Sequence, residues 1–275
     1  MNEFKDKVVV ITGAGGIICS ALALKIASLG AKVAILDINK EAGQIVENKL
    51  KELGYEATSY VANVLDKDEL IELKKAINAK YGPVDILING AGGNNPKGTT
   101  DNEFQELNED VKKSFFDLDP KGVEFVFDLN FLGTFIPTQV FAKDMVGRKE
   151  CSILNISSMN AYTPLTKIPA YSGAKASVSN FTQWLAVHFA HVGIRVNAIA
   201  PGFFVTNQNR GLLFDENGNP TQRTKKILSN TPMGRFGEVS EIEDAALFLL
   251  DSKKASFITG VVLPIDGGFN AYSGV

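Results

Sequence analysis

The beginning of the chain carries the pattern that most constrains its fold. Residues 7–12 read KVVVIT, a continuous apolar run that is typical of a strand buried on both faces of a sheet. The glycine-rich turn GAGG follows at 13–16, and a helical pattern then extends over 17–29. A buried strand joined to a helix in this way indicates the first unit of a parallel α/β sheet.

The same alternation continues along most of the chain. Further strands are predicted at 32–36, 57–61, 84–88, 152–156, 195–199 and 260–265, and helices at 40–53, 67–81, 122–145, 170–191 and 240–250. Strands that alternate with helices form right-handed crossovers in a parallel sheet. We therefore expect an α/β fold, a Rossmann-like doubly wound parallel sheet of about seven strands with helices on both faces, in a single domain over 1–275.

Composition excludes several classes of partner. The 275 residues are 45% hydrophobic and 21% charged, and the net charge of -3 shows no electrostatic footprint for nucleic acid. No apolar run approaches 18 residues and the first residues are charged, so we expect no membrane span and a cytoplasmic location. The two cysteines and two histidines match no metal spacing, so we expect buried, reduced thiols and no metal site.

Two long polar segments interrupt the alternation. Residues 93–121, with a short helical patch at 104–116, follow the fourth predicted strand, and residues 201–232 follow the sixth. Ligands of open α/β sheets bind at the carboxyl ends of strands, and long irregular loops are usually functional. We interpret the first as a substrate loop and 203–232 as a mobile lid; plain surface excursions are the alternative.

The glycine-rich turn predicts a dinucleotide site. Glycine lets the backbone approach a pyrophosphate, and the helix N-terminus supplies amides and a positive dipole. Asp37 ends the second strand, 24 residues after Gly13, where a carboxylate can accept hydrogen bonds from both adenosine ribose hydroxyls and repel a 2′-phosphate. No arginine follows Asp37, so NAD is favoured over NADP. A simple helix cap is the alternative role for Asp37.

Tyr171 and Lys175 are four residues apart, which places them on one face of the helix predicted there. A nearby ammonium lowers the pKa of a tyrosine from its ordinary value of about 10 toward the range useful for acid–base catalysis. By itself this spacing also fits two ordinary residues on a helix surface.

The motifs occur in an order that resembles the short-chain dehydrogenase/reductase family along essentially the whole chain. TGAGGIIC at 12–19 resembles the family's TGxxxGxG, and INGAG at 88–92 resembles its NNAG. NISS at 155–158, YSGAK at 171–175, NAIAPGFFVT at 197–206 and PIDGG at 264–268 resemble its later elements. Ile17 and Cys19 replace two glycines of the first motif, and Gly90 replaces the second asparagine of NNAG.

The resemblance implies four catalytic residues: Asn130, Ser158, Tyr171 and Lys175. Ser158 is preferred to Ser157 because 13 residues separate it from Tyr171, as in the family pattern. Tyr171 would exchange a proton with the substrate oxygen during hydride transfer, and Ser158 would polarise that oxygen. Lys175 would lower the Tyr171 pKa and hold the nicotinamide ribose, and Asn130 would hold a water that relays protons to Lys175.

The predicted cofactor contacts lie at the carboxyl ends of the strands. They are Gly13, Gly15, Gly16, Ile17, Ile18, Asp37, Asn63, Val64, Asn89, Ala91, Gly92, Tyr171, Lys175, Pro201, Gly202, Val205 and Thr206.

Amides and cations in the segments that face this site suit a polar substrate with hydroxyls and a carboxylate. The predicted substrate contacts are Asn95, Asn160, Lys167 and Arg210, with Lys167 or Arg210 for the carboxylate; solvated loop residues are the alternative. A narrower resemblance, over 157–175, 181–190 and 201–210, is to family members that interconvert D-mannonate and D-fructuronate. Gluconate 5-dehydrogenases and other polyol dehydrogenases are the runner-up.

A protein of another class, one that binds NAD as a sensor without turnover, stays open. The resemblance also implies a homotetramer formed through the two long helices, although the apolar residues on the second helix equally suit burial in a monomer.

Overall fold

The computed structural model describes residues 3–105, 113–205 and 210–274. Seven strands form one sheet in the order β3-β2-β1-β4-β5-β6-β7, and every neighbouring pair is parallel. The predicted doubly wound α/β fold is therefore confirmed. The strands are β1 Val8–Thr12, β2 Lys32–Asp37, β3 Ala57–Val61, β4 Ile86–Asn89, β5 Cys151–Ile156, β6 Ile194–Pro201 and β7 Val262–Ile265.

Helices cover both faces of the sheet, because alternate strand residues are apolar on each side. In β1, Val9 and Ile11 join the core on one face of the sheet, whereas Val8 and Val10 join the core on the other face. The described helices are α1 Ile17–Ser28, α2 Lys40–Glu52, α3 Lys67–Tyr81, α4 Pro120–Phe127, α5 Gly133–Phe141, α6 Pro169–His188, α7 Arg210–Leu213, α8 Gln222–Ser229 and α9 Val239–Leu250.

The long helix predicted at 122–145 is not continuous. Between α4 and α5 the chain forms a π-helical segment, Asp128–Leu132, and a 3₁₀ turn, Ala142–Asp144, follows α5. Hydrophobic periodicity cannot reveal one extra residue in a turn, which is why the sequence predicted a single helix. π segments occur most often at functional sites, and this one contains Asn130.

Other boundaries also differ from the predictions. The predicted strand 84–88 begins at Ile86, and the predicted helix 170–191 ends at His188, before a separate 3₁₀ turn, Ala190–Val192. The supposedly irregular segment 201–232 contains α7 and α8. Most of the predicted helical patch at 104–116 lies outside the described residues.

The stretch Pro120–Asp144 qualifies, by length and composition alone, as a possible membrane span in the described part of the chain. The sequence analysis expected none. Half of its most apolar window is buried inside the protein, as in a core helix, so this is weak evidence for a membrane segment.

The position of the site follows from the strand order. The chain winds from β1 toward β3 on one side and from β4 toward β7 on the other, so β1 and β4 flank the switch point. Thr12 pairs with Asn89 across this point, and Asn89 pairs with Asn155 of β5. The segments after β4 and β6 begin at this same edge, where ligands of doubly wound sheets bind.

Candidate active site

Ser158 and Tyr171 come together beyond the end of β5. Ser158 caps a 3₁₀ turn, and its Oγ accepts a hydrogen bond from the Asn160 backbone N–H at 3.2 Å. Tyr171 lies in the first turn of α6, and its phenol hydrogen-bonds the Ser158 hydroxyl. Burial raises the pKa of Tyr171 and the bond to Ser158 works against it, with the net shift upward. The phenol therefore holds its proton near neutral pH.

Lys175 lies one helical turn after Tyr171 and is buried. Its Nζ donates to the Ile156 carbonyl at the end of β5 at 2.8 Å and lies 5.7 Å from the Tyr171 ring centroid. Burial lowers the pKa of Lys175 to about 8. The expectation that Lys175 lowers the pKa of Tyr171 is not met, because burial dominates both groups and disfavours each charged form.

Ser157 makes structural contacts instead. Its Oγ lies 2.7 Å from the Ser179 Oγ and 3.2 Å from the Lys175 carbonyl, so it joins the end of β5 to α6. The contact of Ser158 with Tyr171 supports the preference for Ser158 over Ser157.

Asn130 is fully buried in the π segment and fastens it to the turn after β4. Its Nδ2 donates to the Gly93 and Val126 carbonyls, each at 2.7 Å, and its Oδ1 accepts from the Gly93 N–H at 3.2 Å. The Val126 carbonyl is the acceptor that the Asn130 backbone N–H would use in a regular α-helix. Both protons of the Asn130 Nδ2 are donated to protein carbonyls. A relay water could therefore contact Asn130 only at an oxygen atom.

The glycine-rich turn is tightly packed against its neighbours. Gly13 has φ of +62°, and a Cβ there would lie 2.8 Å from the Ala91 backbone. A Cβ at Gly15 would lie 2.6 Å from the Ala42 Cβ and 2.9 Å from the Asp37 Oδ2. Gly15 is therefore required by close packing against Ala42 and Asp37.

Asp37 holds this turn in place. Its Oδ2 accepts from the Gly15 N–H and its Oδ1 from the Asn39 N–H, both at 2.8 Å. The alternative role as the cap of α2 is wrong, because the N-cap is Asn39, whose side chain accepts from the Ala42 N–H.

The N-terminus of α1 suits a phosphate group. Gly16 is its N-cap, no side chain caps it, and its first turn carries no acidic residue. The first turn begins with Ile17 and Ile18, whose amides precede the regular helical hydrogen bonds. Amides without a side-chain cap, with the Asp37 carboxylate beside the turn that precedes them, fit a dinucleotide.

The remaining predicted cofactor residues have mixed surroundings. Val64 is buried against Gly133, and the Asn63 Oδ1 accepts from the Leu65 N–H at 3.0 Å. A Cβ at Gly92 would lie 2.6 Å from the Asn130 Oδ1 and 3.1 Å from the Lys175 Nζ. Pro201 ends β6, Gly202 packs on Asp266, Val205 is half-buried, and Thr206 lies outside the described residues.

Asn89 belongs to a buried ladder of side chains that the sequence analysis missed. Its Nδ2 donates to the Thr138 Oγ1 and the Asn155 Oδ1, and the Asn155 Nδ2 donates to the Thr182 Oγ1, all at 2.9 Å. The hydroxyls of Thr138 and Thr182 each donate their single proton to the carbonyl four residues earlier in the helix. Each hydroxyl oxygen must therefore be the acceptor in its contact with the asparagine Nδ2. This direction leaves the Asn89 Oδ1 without a partner in the described part of the chain. A cofactor contact of Asn89 would have to come from its backbone.

Three of the four predicted substrate residues make contacts with neighbouring loop or helix residues, and the fourth, Asn160, lies beside Ser158. The Asn95 Oδ1 accepts from the Lys97 N–H, and the guanidinium of exposed Arg210 lies over the Phe214 ring. Lys167 has φ of +75°, and its carbonyl accepts from the Thr100 N–H. Asn160 is only 5% exposed and lies beside Ser158.

The predicted substrate loop and lid meet at an ion pair. Glu103 of the loop contacts Lys226 of α8, and this pairing lowers the pKa of Glu103.

The crevice, the fold and the Ser158–Tyr171–Lys175 cluster together define an oxidoreductase of the dehydrogenase/reductase class, and comparison with known proteins agrees. A family model described as enoyl-(acyl carrier protein) reductase matches residues 13–270. The chain belongs to the short-chain dehydrogenase/reductase family.

Its relatives match it over their full lengths. A Haemophilus influenzae protein described as an uncharacterized oxidoreductase is 59% identical over 276 residues, covering 100% of this chain and 96% of its own. The Bacillus subtilis uncharacterized oxidoreductase UxuB is 49% identical over 275 residues, covering 100% and 98%. A crystal structure of a Haemophilus protein provisionally assigned as a D-mannonate oxidoreductase, with bound NAD, has a TM-score of 0.95 at 60% identity, covering 98% of this chain and 97% of that one.

Proposed function

We propose that this protein interconverts D-mannonate and D-fructuronate with NAD. The observation that carries the reaction class is the contact between Ser158 and a protonated, partly buried Tyr171, with Lys175 one turn away. The substrate assignment is supported by the provisional name of the similar structure and by the narrower sequence resemblance.

Residues of this chain fit NAD at both ends of the crevice. The Asp37 carboxylate at the end of β2 would accept hydrogen bonds from the adenosine ribose, and the first amides of α1 would bind the pyrophosphate. When bound, NADH supplies the hydride for reduction of the ketone, and NAD accepts it in the reverse direction.

The proton follows a path through the side chains. In reduction, hydride adds to the carbonyl carbon while the Tyr171 phenol gives its proton to the carbonyl oxygen, so a secondary alcohol forms. Ser158 hydrogen-bonds the same oxygen and stabilises its developing negative charge. A phenol that stays protonated at neutral pH is suited to this donation. Lys175, with its pKa near 8, can return a proton to Tyr171.

Asn160 supports a substrate that carries hydroxyl groups. Four other buried asparagines, Asn89, Asn130, Asn155 and Asn197, use their amides to bind the protein. The Asn160 amide makes no such bond among the described residues, yet neither of its polar atoms is fully enclosed. Buried amides need partners. We infer that a substrate hydroxyl is the partner, close to the atom that Ser158 polarises.

The test of the reaction is oxidation of NADH by purified protein with D-fructuronate, followed by absorbance. Tyr171→Phe should lower kcat by about a hundredfold or more while NADH still binds. Activity on 5-ketogluconate or another polyol instead would retain the reaction class and reject the substrate. NADH binding without turnover of any such compound would favour the sensor.

Asn160→Ala tests the substrate contact separately. We expect KM for the substrate to rise about tenfold or more, with the Kd of NADH unchanged. Asn95→Ala is the matched control, because the Asn95 amide is used in its own turn. Equal effects of the two variants would contradict the assignment.

We further propose a homotetramer in the cytoplasm. On the π segment and α6, Phe131 meets Phe181 edge to face and Phe181 stacks on Trp184, with Trp184 55% exposed and Val187 78% exposed. Exposed apolar patches of this kind favour association. Light scattering of the protein and of Trp184→Glu tests it: a wild-type tetramer and a smaller variant are expected, and a monomeric wild type contradicts the proposal.

A further inference from the structure

Two of the three residues that depart from the family motifs, Cys19 and Gly90, lie against each other. Gly90 follows β4, and Cys19 lies in the first turn of α1. A Cβ added at Gly90 would lie 2.0 Å from the Cys19 Sγ but 3.6 Å from the Cys19 Cβ. Gly90 does not have a positive φ. Its lack of a side chain is therefore required by space, both at the thiol and at the Thr12 carbonyl oxygen, which would lie 2.9 Å from the added Cβ.

This contact is part of a junction between the turn after β1 and the turn after β4. The Thr12 Oγ1 accepts from the Gly90 N–H at 3.1 Å and from the Ala91 N–H at 3.3 Å. Gly13 packs on the Ala91 backbone so closely that a Cβ would lie 2.8 Å away. Cys19 adds a contact from α1, so three independent contacts determine the separation of the two turns.

The thiol acts here as a small apolar group. Cys19 is buried, and burial raises its pKa to about 12, so it is neutral at physiological pH. The charges of Lys175 and Asp37 both act on it. These two residues are the groups proposed to bind opposite ends of the cofactor, and Cys19 reaches the turn after β4 through its contact with Gly90.

We propose that Cys19 and Gly90 are a matched pair whose steric fit sets the spacing of the turns after β1 and β4 that form the cofactor crevice. This inference rests on the proposed binding of NAD but not on the identity of the substrate. It explains why both motifs are altered together: a thiol on α1 occupies space that a side chain at Gly90 would need.

Three variants test the pair: Gly90→Ala, Cys19→Ala and the double variant. We expect Gly90→Ala to weaken NADH binding about tenfold or more, because the overlap must displace α1 or the turn after β4. Cys19→Ala alone should change the Kd by less than about threefold. The double variant should recover most of the lost affinity, because 3.6 Å is an ordinary contact. Recovery is incomplete, because the Thr12 carbonyl would still lie 2.9 Å from the new Cβ.

The Kd of NADH, measured by fluorescence titration, is compared with Tm for each variant. Gly43→Ala in α2 is the matched control, since its Cβ would meet no atom closer than 3.5 Å, and it should leave the Kd unchanged. If Gly90→Ala does not fold, a double variant that folds and binds NADH supports the proposed match between Cys19 and Gly90.

Several outcomes would overturn the proposal. One is a double variant that binds NADH as weakly as Gly90→Ala, and another is a Gly90→Ala protein with lowered Tm but unchanged Kd. Because no substrate is added, a wrong sugar acid does not affect this test. Wild-type protein that binds no NADH would reject this inference and the proposed cofactor together.

Discussion

Replacing Thr138 with valine should destabilise the protein more than the same replacement at Thr134. Both threonines lie on α5, both are 2% exposed, and each hydroxyl donates to a carbonyl four residues earlier. Only Thr138 also accepts a hydrogen bond, from the Asn89 Nδ2 at 2.9 Å. Valine preserves the shape in both cases, so the pair of variants isolates the loss of that acceptor.

The magnitude follows from counting the groups left without partners. Thr134→Val loses one neutral hydrogen bond, worth about 0.5–1.5 kcal/mol. Thr138→Val loses the same bond and leaves a buried Asn89 N–H unpaired, which costs about 1–3 kcal/mol more. Asn89 cannot relieve this by rotating its amide, because its Nδ2 is also needed by the Asn155 Oδ1.

Urea unfolding of the two variants and the wild type measures the difference. An unchanged m-value with a lower midpoint for Thr138→Val would indicate a change in stability alone. Equal free energies of unfolding for the two variants would refute the assigned direction of the ladder. In that case the Asn89 amide would have to be oriented differently.

Three further predictions concern the proposed site. Burial lowers the pKa of Lys175 from 10.5 to about 8, so between these pH values the unfolded chain binds a proton at Lys175 that the folded chain does not. The free energy of unfolding should therefore rise with pH in this range, by at most about 3 kcal/mol. Denaturation experiments on Lys175→Met should lack this rise. Asp37→Asn should reduce the preference for NADH over NADPH about tenfold or more in comparative titrations, and an unchanged ratio would contradict the proposed role. Gly92→Ala should lower kcat about tenfold to a hundredfold, because the new Cβ would displace Asn130. Gly93→Ala should retain activity, because its Cβ would make an ordinary contact at 3.6 Å. Equal losses of activity in the two variants would count against this geometry.

Features carried by local motifs could be predicted from the sequence. The apolar run of β1, the glycine-rich turn and the order of Ser158, Tyr171 and Lys175 needed no knowledge of distant residues. The prediction that both cysteines are free and buried is confirmed.

Features that depend on tertiary neighbours could not be predicted. Asn89 was assigned to the cofactor because its motif lies at the crevice, yet its amide bonds residues of β5 and α5. The shift in the Tyr171 pKa was predicted with the wrong sign, because the four-residue spacing shows the nearby Lys175 but not the burial of both groups. Gly90 and Cys19 were noted separately, since 71 positions of sequence separate them.

The π-helical segment determines how the protein should respond to the deletion of a residue. An α-helix advances by about 100° per residue, so removing one residue from Asp128–Leu132 would restore regular hydrogen bonds while rotating α4 against α5 by roughly that angle. The Asn130 amide could then no longer donate to both the Gly93 and the Val126 carbonyls. Deletion of a residue from Asp128–Leu132 should therefore make the helix more regular and the enzyme less active, whereas deletion of a residue from the exposed turn near Gly218 should be tolerated.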